Sequence, residues 1–356
     1  MKKVTIKTIA QMCNVSVGTV DRALNGRGRI SPETEKKILD MAEKLNYQRN
    51  QLASALGKHH SYRIAILSPR MPEGFFSLVE KGIHDAQKEL LDYGISIEQF
   101  HTNLLNYEEQ KEVLEIINKE KYDGLVLTAS SEKLAEQINN KINSGLPVVT
   151  FNSDLKDSKR LFFVGEDAYK SGGLCASQMG GLLHGKGRVA IIVSYLTPGS
   201  SSDRVNGFTD VLRNRYPNIE ILEPCECYER EENAKSIVGT LLNKYGEING
   251  IFANSASSTA GIGRYFVENT VPQKPILIGY DVMPEVADYL RNGIFDMVID
   301  QNPQKQSYYG LTLMGQHLMN NWLPQASHLS LRVKMVMRDN VDDFCDELNQ
   351  DNHILL

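Results

Sequence analysis

Residues 5–56 read TIKTIAQMCNVSVGTVDRALNGRGRISPETEKKILDMAEKLNYQRNQLASAL. Ile6, Ile9 and Ala10 recur at helical spacing, and Val17, Val20 and Leu24 do so again, with Cys13-Asn14-Val15 as the connector between them. Two short amphipathic helices joined this tightly make a helix-turn-helix. Thr5 and Ser16 stand where a hydroxyl can accept a free N–H of each first turn, so each caps its helix. Ser31-Pro32 opens a third helix, a cap followed by the residue whose missing N–H costs nothing there, with Glu33 and Glu35 in the favourable half of the dipole. Ile38, Met41, Ala42 and Leu45 give this third helix an apolar face to pack back on the first two.

In such a unit the second helix is slim and exposed enough to enter a major groove, so its outward side chains set the contacts. Arg22 can fork onto a guanine edge, Val17 can meet a thymine methyl, and Ser16, Thr19 and Asn25 suit phosphate oxygens. Asp21 repels phosphates unless it pairs with Arg22 or accepts from a cytosine amine. The order Thr-Ile-Lys-Thr-Ile-Ala, then Val-Ser-Val-Gly-Thr-Val-Asp-Arg-Ala-Leu-Asn, then Leu-Asn-Tyr-Gln-Arg-Asn resembles the DNA-binding head of the lactose-repressor (LacI/GalR) family. Asp21 and Ala23 replace the serine and valine of that pattern. Residues 50–57, NQLASALG, resemble the family's hinge helix, in which a leucine matching Leu56 wedges into the minor groove. The residues expected to meet DNA are therefore Thr5, Ser16, Val17, Gly18, Thr19, Asp21, Arg22, Asn25, Arg29, Asn50 and Leu56.

The charge distribution agrees once it is divided. Residues 1–60 hold eleven Lys/Arg against five Asp/Glu, and the rest of the 356 residues hold 28 against 39. The head is the cationic end, as counterion release from DNA requires, and the body is acidic. Five cysteines, Cys13, Cys175, Cys225, Cys227 and Cys345, are odd in number and scattered, which reads as reduced thiols. Cys225-x-Cys227 is too tight for a zinc site, and the eight histidines show no metal-ligand spacing. The N-terminus has no apolar signal core, and no stretch reaches the roughly 18 apolar residues of a membrane span. A cytoplasmic protein without cofactor, metal or membrane association is expected.

From residue 61 the pattern turns to alternating buried strands and amphipathic helices. Candidate strands are 63–67, 95–100, 124–127, 147–151, 189–193, 219–222, 250–253, 275–279 and 297–299; candidate helices include 75–93, 108–120, 133–144, 169–183 and 231–245. Such alternation implies parallel sheets covered on both faces. The rhythm breaks near 154–165, which divides the body into two doubly wound lobes, with the chain crossing there, again near Asn292, and once more near the C-terminus. The expected organisation is an all-α helix-turn-helix head over 1–49, a hinge helix and linker over 50–60, and a two-lobed α/β body over 61–356. That body resembles the periplasmic-binding-protein-like (type I) sensor of the same repressor family.

In doubly wound folds ligands sit beyond the carboxyl ends of the strands. Phe75 and Phe76 open the first helix of the body, where an aromatic face can stack on a sugar ring. Arg204 in Arg204-Val205-Asn206-Gly207-Phe208 resembles an Arg-x-x-Gly-Phe pattern whose arginine reaches the effector in relatives, with hydroxyls or a carboxylate as partners. Asp281, ending Gly279-Tyr280-Asp281, resembles a carboxylate that accepts from paired hydroxyls, and Gln301 resembles a glutamine of the same pocket. Asn254 and Ser255 fall where relatives carry Asn-Asp, and Asn152, followed by Ser153, falls where sugar-binding relatives carry Asp-Arg. Residues 180–187, GGLLHGKG, nearly spell a phosphate loop but lack the final Ser/Thr and end a helix before a strand. The charge runs at 157–160 and 229–232 read as solvated faces.

Together these features lead to an effector-responsive transcriptional repressor of carbohydrate-utilisation genes, with a sugar or sugar acid in the cleft. It would bind double-stranded, palindromic operator DNA as a homodimer or higher oligomer. A solute-binding protein for sugar uptake shares the body but has no use for a cationic head, and a nucleobase effector is the alternative within the regulator reading. An enzyme is not expected, because no acid/base pair or activated nucleophile stands out.

Overall fold

The computed structural model describes residues 6–24, 30–44, 61–70, 72–103, 106–197 and 199–349. The chain separates into two compact units that part at Ser61.

In the first unit, α1 (Ile6–Cys13), α2 (Val17–Leu24) and α3 (Pro32–Lys44) bury Ile9, Ala10, Cys13, Val20, Ala23, Ile38 and Ala42 against one another. The turn between α1 and α2 passes through Asn14 at φ 55°, a left-handed conformation that asparagine tolerates better than most residues. Ser16 Oγ accepts from Thr19 N at 3.1 Å and Ser31 Oγ from Thr34 N at 3.3 Å, so two of the expected caps are made. The third, Thr5, lies outside the described residues.

The second unit holds two sheets. The first has β1 (Tyr62–Arg70), β2 (Ile95–Asn103), β3 (Gly124–Leu127), β4 (Val148–Phe151), β5 (Phe162–Gly165) and, far along the chain, β12 (His328–Ser330), in the order β12-β5-β4-β3-β1-β2. All its pairings are parallel. The second has β6 (Lys186–Val193), β7 (Asn218–Ile221), β9 (Gly250–Ala253), β10 (Ile276–Tyr280), β11 (Met297–Asp300) and β13 (Lys334–Val336), in the order β13-β11-β10-β9-β6-β7, with β8 (Cys225–Glu226) beside β6. Only the β11–β13 pairing is antiparallel among these. β3, β4, β5, β9 and β11 are buried along their whole length, because helices cover both faces of each sheet.

Helices α4 (Glu73–Leu91), α5 (Tyr107–Ile116), α6 (Ala135–Asn143) and α12 (Pro303–Asn320) clothe the first sheet. Helices α7 (Ala168–Leu182), α8 (Ser200–Arg215), α9 (Glu231–Tyr245), α10 (Ala256–Glu268), α11 (Pro284–Arg291) and α13 (Val341–Asn349) belong to the second lobe. Its core stacks Phe208 on Phe252 at 4.2 Å, with Tyr280 edge-on to Phe252 at 6.0 Å. α7 and α8 cross with their backbones in contact: a Cβ on Gly172 would lie 2.0 Å from the Arg204 carbonyl oxygen, and one on Gly207 would lie 1.9 Å from that of Tyr169.

The lobes are joined by three segments, 166–167, 301–302 and 331–333, and the second of these corrects the expected crossing near Asn292. Asn292 caps the end of α11 and Gly293, at φ 68°, turns the chain back into β11 within the same lobe. The crossing falls instead at Gln301 and Asn302, where Asn302 adopts φ 64° and its side chain accepts from Lys305 N at 3.4 Å to start α12. The near phosphate loop is a helix stop: α7 ends at Leu182, and His184 and Gly185, both at positive φ, turn into β6.

Candidate functional site

In the head, the cap Ser16 and, on α2, Val17, Gly18 and Arg22 are exposed, and Thr19 is half-buried. Val17 keeps 46% of its surface open, an unusual exposure for a valine in a three-helix core and the disposition a groove-facing side chain needs. Arg22 Nε donates to the Gly18 carbonyl at 3.0 Å, which lays the guanidinium along the helix. Thr5, Asn25, Arg29, Asn50 and Leu56 lie outside the described residues, as does the Asp21 side chain.

In the body, a cavity of about 500 Å³ lies between the lobes, beyond the carboxyl ends of both sheets. The first lobe contributes Arg70 at the end of β1 and Pro72 beyond it, Phe75 from α4, Ser130 to Lys133 after β3, and Asn152 and Ser153 after β4. The second contributes Ser194 and Tyr195 after β6, Ser200, Ser201 and Arg204 from α8, Glu229, Ser255, and Asp281 after β10, and Gln301 follows β11 on the crossing segment. Six of the eight residues singled out from sequence thus share one lining.

Phe76 and Asn254 are placed differently. Phe76 packs edge-on against His101 at 5.2 Å, away from the lining. Asn254 is fully buried behind it: its Oδ1 accepts from Ser194 N at 3.1 Å and its Nδ2 donates to Ser201 Oγ at 2.7 Å, so it braces the wall.

The floor is a hydrogen-bonded cluster centred on Gln301. Its Nε2 donates to Asp281 Oδ1 at 3.0 Å, and its Oε1 accepts from Arg204 Nη2 at 2.9 Å and from Asn152 Nδ2 at 3.3 Å. Gln306 of α12 holds its backbone through Nε2 to the Gln301 carbonyl at 2.9 Å. Arg204 is 5% exposed, donates from Nε to Glu166 Oε1 at 2.6 Å and from Nη1 to the Asn254 carbonyl at 2.7 Å, and lies 4.2 Å over the Tyr280 ring. Burial, the largest single influence, would lower the Arg204 pKa, but Glu166, Tyr280 and Asp281 together outweigh it and the guanidinium stays charged. Asp281 is 3% exposed, and burial pushes its pKa up to about 7 although Arg204 and Gln301 oppose the shift. Burial does the same to its neighbour Asp300, also to about 7. Asn152 at φ 62° and Asp281 at φ 68° hold left-handed conformations at strand ends, a strain that accumulates where side chains must be aimed.

Three carboxylates of the site escape the sequence reading, Glu166, Glu229 and Glu132, the last in the segment after β3. Glu166, 2% exposed, follows β5, and the stretch read as a break in rhythm contains that strand. Glu229 belongs to a charge run that reads as solvated, yet it lines the cavity, hydrogen-bonded by Ser257 Oγ. The run at 157–160 also needs correction at Arg160, whose side chain is 9% exposed and pairs with Asp154 through Nη2 and Oδ2 at 2.5 Å. Both errors arise because a compensated or cavity-facing charge looks like a solvated one in a local pattern.

Residues 5–50 match the lacI family of bacterial regulatory proteins, and residues 64–321 match the periplasmic binding protein domain. The chain belongs to the lacI family of bacterial regulators. It is a DNA-binding regulator of transcription whose sensor has the periplasmic-binding-protein fold. This lacI-family chain is similar to the ribose operon repressor of Bacillus subtilis (strain 168), 26% identical over 289 residues that cover 79% of this chain and 82% of that one. It is also similar to catabolite control protein A of Staphylococcus epidermidis, 27% identical over 43% of this chain and 45% of that one. Among solved structures, GanP, a glucose-galactose binding protein from Geobacillus stearothermophilus, superposes with a TM-score of 0.72 at 27% identity, covering 79% of this chain and 99% of GanP. No helix of the described residues is long and apolar enough to cross a membrane, and no group of His, Cys, Asp and Glu among them could hold a metal ion.

Proposed function

We propose that this regulator is a cytoplasmic repressor of carbohydrate-utilisation genes that binds a palindromic operator as a homodimer and takes a small sugar-class effector in the cavity between its lobes. The relatives' names support the sugar class. The head, with its eight-residue α2, offers few base contacts, so specificity requires two heads on two half-sites. Phe75, Asn152, Arg204, Ser255, Asp281 and Gln301 are the proposed effector contacts, with Asn254 as a positioning residue and Phe76 as packing.

The observation that carries this reading is the place of Gln301. Its amide joins Asn152 of one lobe to Arg204 and Asp281 of the other, on a segment that crosses between the lobes, at the floor of the cavity. A ligand that rearranges these hydrogen bonds binds open and closed arrangements of the lobes unequally, and only such a difference can shift their equilibrium. The heads, tethered through residues 45–60, then bind two half-sites with altered affinity.

The test is fluorescence anisotropy of the full-length protein on DNA from upstream of its own gene, titrated across salt and repeated with a panel of sugars. Binding should weaken steeply as salt rises and respond to at least one sugar. Absent or salt-insensitive binding would overturn the reading.

A further inference from the structure

The charge carried by the cavity walls is not what a carboxylate-bearing effector needs. Arg204 is the buried cation of the floor, but its charge is matched by Glu166 at 2.6 Å, and its donors already serve Glu166, Gln301 and the Asn254 carbonyl. Arg70 and Lys133 are exposed. Glu132 stands beside Lys133, and Asp281 and Glu229 lie on the second lobe's wall; none of the three makes an ion pair among the described residues. Glu132 Oε2 is buried without a hydrogen-bond partner. With Arg204 matched by Glu166, the walls set three carboxyl groups against two exposed cations; burial raises the pKa of each carboxyl, that of Asp281 to about 7, so their negative charge is fullest above neutral pH.

Glu229 is held in this position by its backbone. Tyr228 and Glu229 adopt φ 56° and 55°, two successive left-handed residues that both carry a Cβ, an arrangement that persists only where the surroundings impose it. The turn is pinned to the end of β6 by Cys227 N to the Val193 carbonyl at 2.7 Å and Tyr228 N to the Ser194 carbonyl at 3.0 Å. It sends the Tyr228 ring outward, 49% exposed, and the Glu229 carboxylate into the cavity, where Ser257 donates to it. An ionised carboxylate is an acceptor only, so what it can take from a ligand is a hydroxyl or ammonium donor.

We propose that Glu229 is a specificity-determining residue of the effector cavity, and that with Glu132 and Asp281 it selects uncharged polyhydroxylated rings and rejects their carboxylated or phosphorylated counterparts. Specificity of this kind comes from repulsion of the wrong ligand as much as attraction of the right one. Like charges a few ångströms apart repel, so an added carboxylate loses affinity against ionised wall carboxylates. The proposal rests on the sugar-sensor reading and narrows it.

The experiment is a thermal-shift screen of the full-length protein, followed by calorimetry of the hits. D-glucose is paired with D-glucuronate and D-gluconate, D-galactose with D-galacturonate, and D-ribose with D-ribonate and D-ribose 5-phosphate. Hits are expected among the neutral sugars alone, with each acid partner bound at least about tenfold more weakly. Glu229→Gln, which keeps the shape and can still accept from Ser257, should close that gap by about tenfold. Should that variant fail to fold, Glu132→Gln on the opposite wall carries the same expectation. An acid bound by the wild type within about threefold of its parent sugar, or a ratio that the folded variant leaves unchanged, overturns the charge rule. A panel with no hit at all removes the sugar-sensor reading and this proposal with it.

Discussion

Replacing Arg204 by methionine removes the cation from a carboxylate, Glu166, that has nowhere to find another. The Glu166 side chain is 1% exposed, and its second oxygen has no hydrogen-bond partner even in the intact protein. Breaking such a pair from one side costs about 3–5 kcal/mol, because the remaining charge stays buried and uncompensated. The body has about 290 residues, for which the entropy of unfolding is about 0.6 kcal/mol per kelvin, so the loss corresponds to a fall of about 5–8 °C in Tm. Replacing both partners, Arg204→Met with Glu166→Met, removes the buried charge altogether and should recover most of that loss, to within about 1 kcal/mol of the wild type. Urea unfolding of the four proteins, followed by circular dichroism, measures the cycle. A single variant that costs less than about 1 kcal/mol, or a double variant no more stable than the single, refutes the argument. The same reasoning means that Arg204→Ala lowers effector response and stability together.

Other outcomes follow from the same geometry. Asp281 and Asp300 have pKa values raised from 3.8 to about 7, so the stability linked to their protonation is full below about pH 4 and is lost as pH rises toward 7; Asp281→Asn should flatten the urea midpoint against pH by about one group's share. If ligand hydroxyls donate to the ionised form, effector affinity should strengthen as pH rises through 7, and the same variant should abolish that trend in calorimetry. Gly207→Ala drives a Cβ into the Tyr169 carbonyl oxygen across the α7–α8 contact, which should lower stability by about 1–3 kcal/mol and weaken effector binding by displacing Arg204. Arg22→Ala should weaken specific operator binding by about 1–3 kcal/mol, while affinity for unrelated DNA and the Tm of the protein change little in anisotropy and melting experiments.

The parts of the fold legible in the sequence are those whose burial follows a local period. The head shows itself through Ile9, Val20 and Ile38, and strands such as residues 124–127 and 250–253 are short runs buried on both faces. The edge strands β12 and β13 escaped because each has only three residues, with a single half-buried residue in β12 and only Val336 buried in β13, which leaves no apolar run to find. The misplaced crossing has a different cause: nothing local to Met297–Asp300 tells which sheet it joins, although Asn302-Pro303, a cap followed by a proline, marked where a new helix begins. For the cavity, strand ends were readable because recognition residues follow buried runs. Glu166 and Glu229 were not, since whether a charged residue is solvated or enclosed is decided by chain segments far away in sequence, Arg204 in one case and Ser257 in the other.

The strand order has a consequence for synthesis. β5 gains its outer neighbour only when His328–Ser330 arrives, and the face of that sheet is covered by a helix that begins at Pro303. A nascent chain leaving the ribosome therefore completes its three N-terminal helices about 285 residues before the first lobe can close. Chains interrupted in that interval would carry a finished reader of DNA with an unfinished receiver. Their removal by proteases, which the unpaired edge of β5 invites, would keep operators from being occupied by copies deaf to the signal.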